Sequence, residues 1–159
     1  MFLWFVGGSI LLVLLVFQSP AIDYRMVAVG SVLPVGELVF GGPRLLHTLL
    51  GAVAVLGIVM AATRHRRLLR RRLLGIPIGL FLHLVLDGVW TRASLFWWPF
   101  LGASFEGELP EVARGSWTLG LELAGVAMLV FLWRACGLAD PQRRKRFWRT
   151  GQLDLRDGP

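Results

Sequence analysis

Apolar residues in this chain come in five long runs, at Met1 to Phe17, about Met26 to Phe40, Leu45 to Ala62, Leu73 to about Trp90 and Trp117 to Trp133, with charged residues gathered between them. A chain of 159 residues that is 55% hydrophobic, with a mean hydropathy of +0.64, has more apolar surface than an ordinary soluble core can bury. The pattern predicts an all-α protein: a polytopic transmembrane helical bundle of about five segments over residues 1–136, followed by a basic cytoplasmic tail over residues 137–159. The first run lacks a basic leader and a small-x-small cleavage site, so it reads as a retained helix.

The net charge of +7 would suit a nucleic-acid partner if the basic residues covered one face. They sit instead at the ends of apolar runs, which argues against nucleic acid and for the positive-inside rule. Thr63 to Arg72, TRHRRLLRRR, is the densest cluster, and Arg143, Arg144, Lys145, Arg146 and Arg149 mark the tail. Alternating the segments from these anchors gives a multi-pass protein of the cell inner membrane, with its N-terminus outside and its C-terminus cytoplasmic. The aromatic stretch Phe96, Trp97, Trp98 and Phe100 reads as an interfacial belt. A lone Cys136 excludes an internal disulfide and a thiolate metal site.

The second run, MVAVGSVLPVGELVF, carries Gly30, Pro34 and Gly36, so it is expected to be a broken segment. An irregular backbone at membrane depth is tolerated where it lines a polar cavity, so Glu37, just beyond the break, belongs inside the protein. His83 and Asp87 are one helical turn apart and share a helix face. On the predicted topology Glu37, His47, His83, Asp87 and Glu122 all lie roughly 4–11 Å below the outer ends of their segments, at 1.5 Å rise per residue. Intramembrane ionisable groups are costly unless compensated, and this set offers two imidazoles with several carboxylates, a suitable ligand set for a divalent metal. The alternative is a hydrogen-bonded network that fixes helix register without metal. Glu122 could be a supporting acid or could face a water-filled vestibule.

His83-Leu-Val-Leu-Asp87 with Trp98-Pro99, His47-Thr48, and Leu33-Pro34 with Glu37 occur in a particular order. In that order they resemble the bacterial inner-membrane metal-dependent hydrolases, one branch of which is labelled LexA-binding. Members carry Leu-Pro-Asp-x-Asp-His, then His-Arg-Gly-x-Thr-His-Ser, then His-x-x-x-Asp followed by Trp-Pro. The resemblance covers roughly Val32 to Phe100. Val35, Leu38, Gly42 and Pro43 depart from it, standing where the family has an Asp, a His and the His-Arg pair. The resemblance therefore implies a leaner metal site in a divergent member.

Three function classes follow. The first is a membrane hydrolase that cleaves an ester or phosphoester of a lipid or other amphiphile near the outer leaflet. In it Glu37, His47, His83 and Asp87 hold a divalent metal, zinc before manganese or iron, which activates a water molecule. Glu122 is its candidate general base, and Arg92 its candidate anchor for an anionic headgroup. The second, a proton or cation pathway, lacks polar groups through the inner half of the segments. The third is a non-enzymatic assembly or scaffold subunit with a structural polar or metal cluster. Expected partners are membrane lipids, an amphiphilic substrate, and a membrane-protein partner or a second copy of the chain.

Overall fold

The computed structural model describes residues 1–19, 21–40, 44–102, 115 and 117–155. The expected stop at Pro20, the turn at Gly41 to Pro43 and the loop residues Glu106, Glu108, Glu111 and Arg114 lie outside the described residues. All the regular structure described is helical.

The first helix, α1 (Phe2–Phe17), ends where Gln18 turns left-handed and its N–H bonds the Leu14 carbonyl at 3.1 Å. Asp23 then caps α2 (Tyr24–Val32) by accepting from the Arg25 N–H. Pro34, which cannot donate to a helical ladder, follows at once, and the chain tightens into a 3-10 segment over Leu33–Phe40. After a short 3-10 turn at Leu45–His47, Thr48 caps α3 (Leu49–Ala62) with its side chain on the Gly51 N–H at 2.9 Å. The densest arginine run is itself a helix, α4 (Arg67–Leu73), which leads through Leu74 into α5 (Gly75–Asp87). Gly88, at φ 73°, closes α5. A 3-10 turn at Val89–Thr91, a single helical turn α6 (Ala93–Phe96), the long α7 (Trp117–Ala135) and α8 (Pro141–Thr150) complete the order.

Two close contacts set the arrangement. Helices α2 and α5 run parallel with backbones nearly touching: a Cβ on Gly30 would lie 2.0 Å from the Ile76 carbonyl oxygen, and one on Gly79 would lie 2.0 Å from that of Val27. On the opposite flank α1 and α7 run parallel, with Gly7 against Gly125 and Met128, and Gly125 against Leu3 and Trp4. One apolar core gathers Ile10, Val13, Leu14, Tyr24, Val27, Leu132, Cys136 and Leu153. A smaller one, Ala52, Leu80, Leu84, Val89 and Leu95, underlies the junction of α3, α5 and α6.

The expectation of a transmembrane bundle of about five segments is overturned. Among the described residues one helix, Trp117–Ala135, is long and apolar enough to cross a membrane. The other apolar runs are cut short by their own breakers. Helices α1 and α3, of 16 and 14 residues, reach about 24 and 21 Å at 1.5 Å per residue, short of a hydrocarbon core of about 30 Å. Pro34 follows α2, which is nine residues long, and Gly88 limits α5 to 13. The region beyond residue 136, expected to be a basic tail, carries the capped helix α8, and Leu153 beyond it is buried in the first core.

Charge is divided between the two ends of the bundle. At one end Asp23, almost wholly buried, accepts from Arg25 Nε at 3.1 Å and Nη2 at 2.8 Å, and from Arg72 Nε at 3.0 Å. The same end holds α8. The Tyr24 N–H donates to the Gly151 carbonyl at 2.8 Å, and Arg25 Nη1 donates to the Trp148 carbonyl at 2.6 Å. The other end holds His47 and His83.

Candidate metal centre

The four sequence-predicted ligands arrive on three local elements. His83 and Asp87 project from successive turns of α5, both fully buried. His47 ends the 3-10 turn that precedes α3, also fully buried, held there because Thr48 donates to the Leu45 carbonyl at 2.8 Å while capping the helix. His47, His83 and Asp87 each offer one ligand atom, and these atoms lie within 4.8 Å of one another. The two imidazoles meet edge to face, with centroids 5.4 Å apart and planes at 83°.

Both rings are oriented from behind. His83 Nδ1 lies 2.7 Å from the Ser31 carbonyl oxygen, which can only accept, so the neutral ring carries its proton on Nδ1 and turns the lone pair of Nε2 inward. His47 Nδ1 lies 2.8 Å from Glu37 Oε2, and a carboxylate there favours the same tautomer. His47 Nε2 is buried with no hydrogen-bond partner among the described residues. A buried imidazole nitrogen left open while its ring is fixed by an oxygen on the far side is what a metal ligand requires. On the chemistry of its donors the set fits a divalent ion of the zinc class.

Glu37 is placed one contact further out than the sequence suggested. Its Oε2 accepts from the Arg44 N–H as well as from His47, and its Oε1 accepts from the Leu46 N–H, both amide contacts at 2.9 Å. It orients His47 instead of joining the cluster of three. Glu122 lies against the start of α1, where it accepts from the Phe2 and Leu3 amides and ion-pairs with the Met1 amino group at 3.1 Å. Arg92 is half-buried, five residues beyond Asp87, where its carbonyl takes the Leu95 and Phe96 amides at 3.1 and 3.0 Å. The structure thus unites His47, His83 and Asp87, puts Glu37 behind them, and uses Glu122 to hold α1.

Two participants escaped sequence reasoning. The Ser31 carbonyl is a backbone group, so its side chain gave no signal; the small residues Gly30 and Gly79, which bring α2 close enough to α5 for that contact, were the available clue. Phe5 covers His83 from α1, with ring centroids 4.0 Å apart, and nothing in the sequence separates it from the other nine phenylalanines.

No curated protein and no solved structure matches the chain. Over residues 4–149, which include every group of the cluster and its supports, the chain matches the YdjM inner membrane protein family, and it belongs to that family.

Proposed function

We propose that this inner-membrane protein is a metal-dependent hydrolase acting on an ester or phosphoester of a lipid or other amphiphile. The observation that carries the reading is the buried cluster of His47, His83 and Asp87, with both imidazoles oriented by oxygen acceptors and His47 Nε2 left open. A divalent ion held by three protein side chains keeps a position for water or substrate and supplies a Lewis acid.

The chain's own residues then divide the work. Asp87 and the two Nε2 atoms bind; Glu37 and the Ser31 carbonyl fix the rings; Phe5 and the apolar residues around α5 keep bulk water from the histidines. Arg92, just past the end of α5, is the proposed anchor for an anionic headgroup. Glu122 serves by holding α1, and with it Phe5, against His83. An apolar groove of about 600 Å³ between α1, α3 and α5, lined by Leu12, Leu49, Val53, Phe81 and Val85 among others, suits an acyl chain. Leu49 and Val85 are next to the cluster in sequence, so a tail in the groove would bring its linkage toward the histidines. Arginines gathered at the opposite end favour the cytoplasmic side for that end and the outer side for the cluster.

The test is metal content by mass spectrometry on purified protein, wild type beside His83→Ala, with turnover of lipid in membranes for wild type and Asp87→Asn. Wild type should retain about one divalent ion per chain and His83→Ala close to none, and Asp87→Asn, near-isosteric, should lower turnover by several powers of ten. Equal metal content in wild type and His83→Ala would refute the centre. Unchanged lipid turnover in Asp87→Asn, with a host phenotype that follows truncation of Arg143 to Arg149, would replace the enzyme by a scaffold subunit.

A further inference from the structure

The end of the molecule remote from His47 and His83 carries a second built feature. A cavity of about 450 Å³ opens between the end of α7 and α8, lined by Arg143, Arg146, Gln152 and Asp154 with Leu138 and Leu153. Arg143 and Arg146 are three residues apart on α8 and share a face. We propose that this cavity binds the phosphate of an anionic phospholipid, with the exposed face of α8 lying against the bilayer surface.

Four observations carry the assignment. First, among the described residues the Arg143 guanidinium makes one long hydrogen bond, 3.4 Å to the Cys136 carbonyl, which leaves most of its five donors available. Second, the acid in the cavity does not neutralise it: Asp154 pairs with Arg146 at 3.0 Å, but the two are 40% and 58% exposed, and such surface pairs exchange readily for a better anion. Third, α8 cannot fold its basic face inward. Gly151 and Trp148 are tied through their carbonyls to Tyr24 and Arg25, and Leu153 is buried, so Lys145 and Arg149 stay exposed and Arg144 is half-buried. Fourth, the basic surface is studded with large apolar side chains. Trp148 is 66% exposed on α8, and Leu68 is 83% exposed on the arginine-rich α4, which joins the same end through Arg72 and Asp23. Basic residues interleaved with an exposed tryptophan are suited to anionic headgroups at an interface, and a fork-shaped guanidinium to their phosphate. The apolar side chains and the inner-membrane family favour a lipid over free phosphate.

The test is native mass spectrometry of the full chain in detergent micelles, titrated separately with phosphatidylglycerol, phosphatidylcholine and inorganic phosphate. Arg143→Gln with Arg146→Gln is compared against Arg144→Gln with Lys145→Gln, which removes equal charge outside the cavity. Wild type is expected to prefer phosphatidylglycerol, the cavity variant to lose about tenfold in affinity for it, and the control less than about threefold. Equal losses in the two variants, no preference over phosphatidylcholine, or inorganic phosphate binding as tightly as the lipid would each overturn the proposal. Should the double cavity variant fail to fold, Arg143→Gln alone decides: a loss of about threefold or more supports the site, and an unchanged affinity removes it.

Discussion

Asp23 and His47 are both buried polar side chains near opposite ends of one bundle, and their surroundings treat them differently. Asp23 takes two arginines and a backbone amide. His47 has one ring nitrogen fixed by Glu37 and the other without a hydrogen-bond partner among the described residues. Burial raises a carboxyl, but at Asp23 the Arg25 hydrogen bonds and the Arg25 and Arg72 charges outweigh it and hold the group below its usual 3.8. Saturation of this kind fixes structure: it seats α8 and joins α2 to α4. The half-satisfied imidazole is a place where something further binds. Comparing the two separates a polar group that stabilises from one poised for chemistry.

The largest expected effect breaks both ends together. Gly79→Ala would drive a methyl group into the Val27 carbonyl and push α2 from α5. It is expected to destabilise by about 3 kcal/mol, lowering Tm by roughly 6–12 °C, and to weaken metal binding because the Ser31 carbonyl retreats from His83. Thermal unfolding with metal analysis checks this; a stable, fully metallated variant would contradict the close approach.

Asp23→Ala should damage one end alone. Loss of the cap and of two arginine contacts is expected to remove about 2–3 kcal/mol while leaving metal content unchanged. The same carboxyl gives a pH signature. Its folded pKa lies below the unfolded one, so its contribution is complete above the unfolded value, is lost as pH falls through the folded value, and is absent from Asp23→Asn. Unfolding midpoints of the two proteins should therefore differ at neutral pH and converge as the acid limb is crossed.

Glu37→Gln sharpens the other end. A group that orients a ligand, and does not itself bind, is expected to change metal affinity about 10–100-fold without abolishing it. Competition with a chelator measures this; complete loss would make Glu37 a ligand. Smallest is Glu122→Gln, expected to destabilise by about 1 kcal/mol through weaker contacts at the start of α1, with metal content unaltered. A large fall in turnover at unchanged stability would return Glu122 to the role of general base.

Much of this was legible because apolar runs and breakers are local. The runs at Met1 to Phe17 and Trp117 to Trp133 sit within a few residues of α1 and α7, and Pro34 with Gly36 marked the break after α2. His83 and Asp87 came together because four residues along a helix is one turn. What failed was length. Counting apolar residues treats a run as a span, whereas Thr48, Pro34 and Gly88 divide the runs into pieces too short to count as such. The site was legible as a set of residue types, but the order of contacts within it was not. That Glu37 sits behind His47 while Asp87 joins the two imidazoles follows from where the Arg44 and Leu46 amides hold the Glu37 carboxylate, a result of packing.

The parallel pairing of α1 with α7 has a consequence for the order of events during synthesis. Glu122 and the Phe2 amide that it holds are 120 residues apart. At roughly 5–20 residues per second, α1 emerges about 6–24 s before its partner. For that interval the face with Gly7 and the groups that Gly125 will meet have no cover from this chain. Helices α2 and α5 are made in between, and they carry Ser31, His83 and Asp87. The histidine cluster can thus assemble before α7 arrives, and α7 closes the bundle around it.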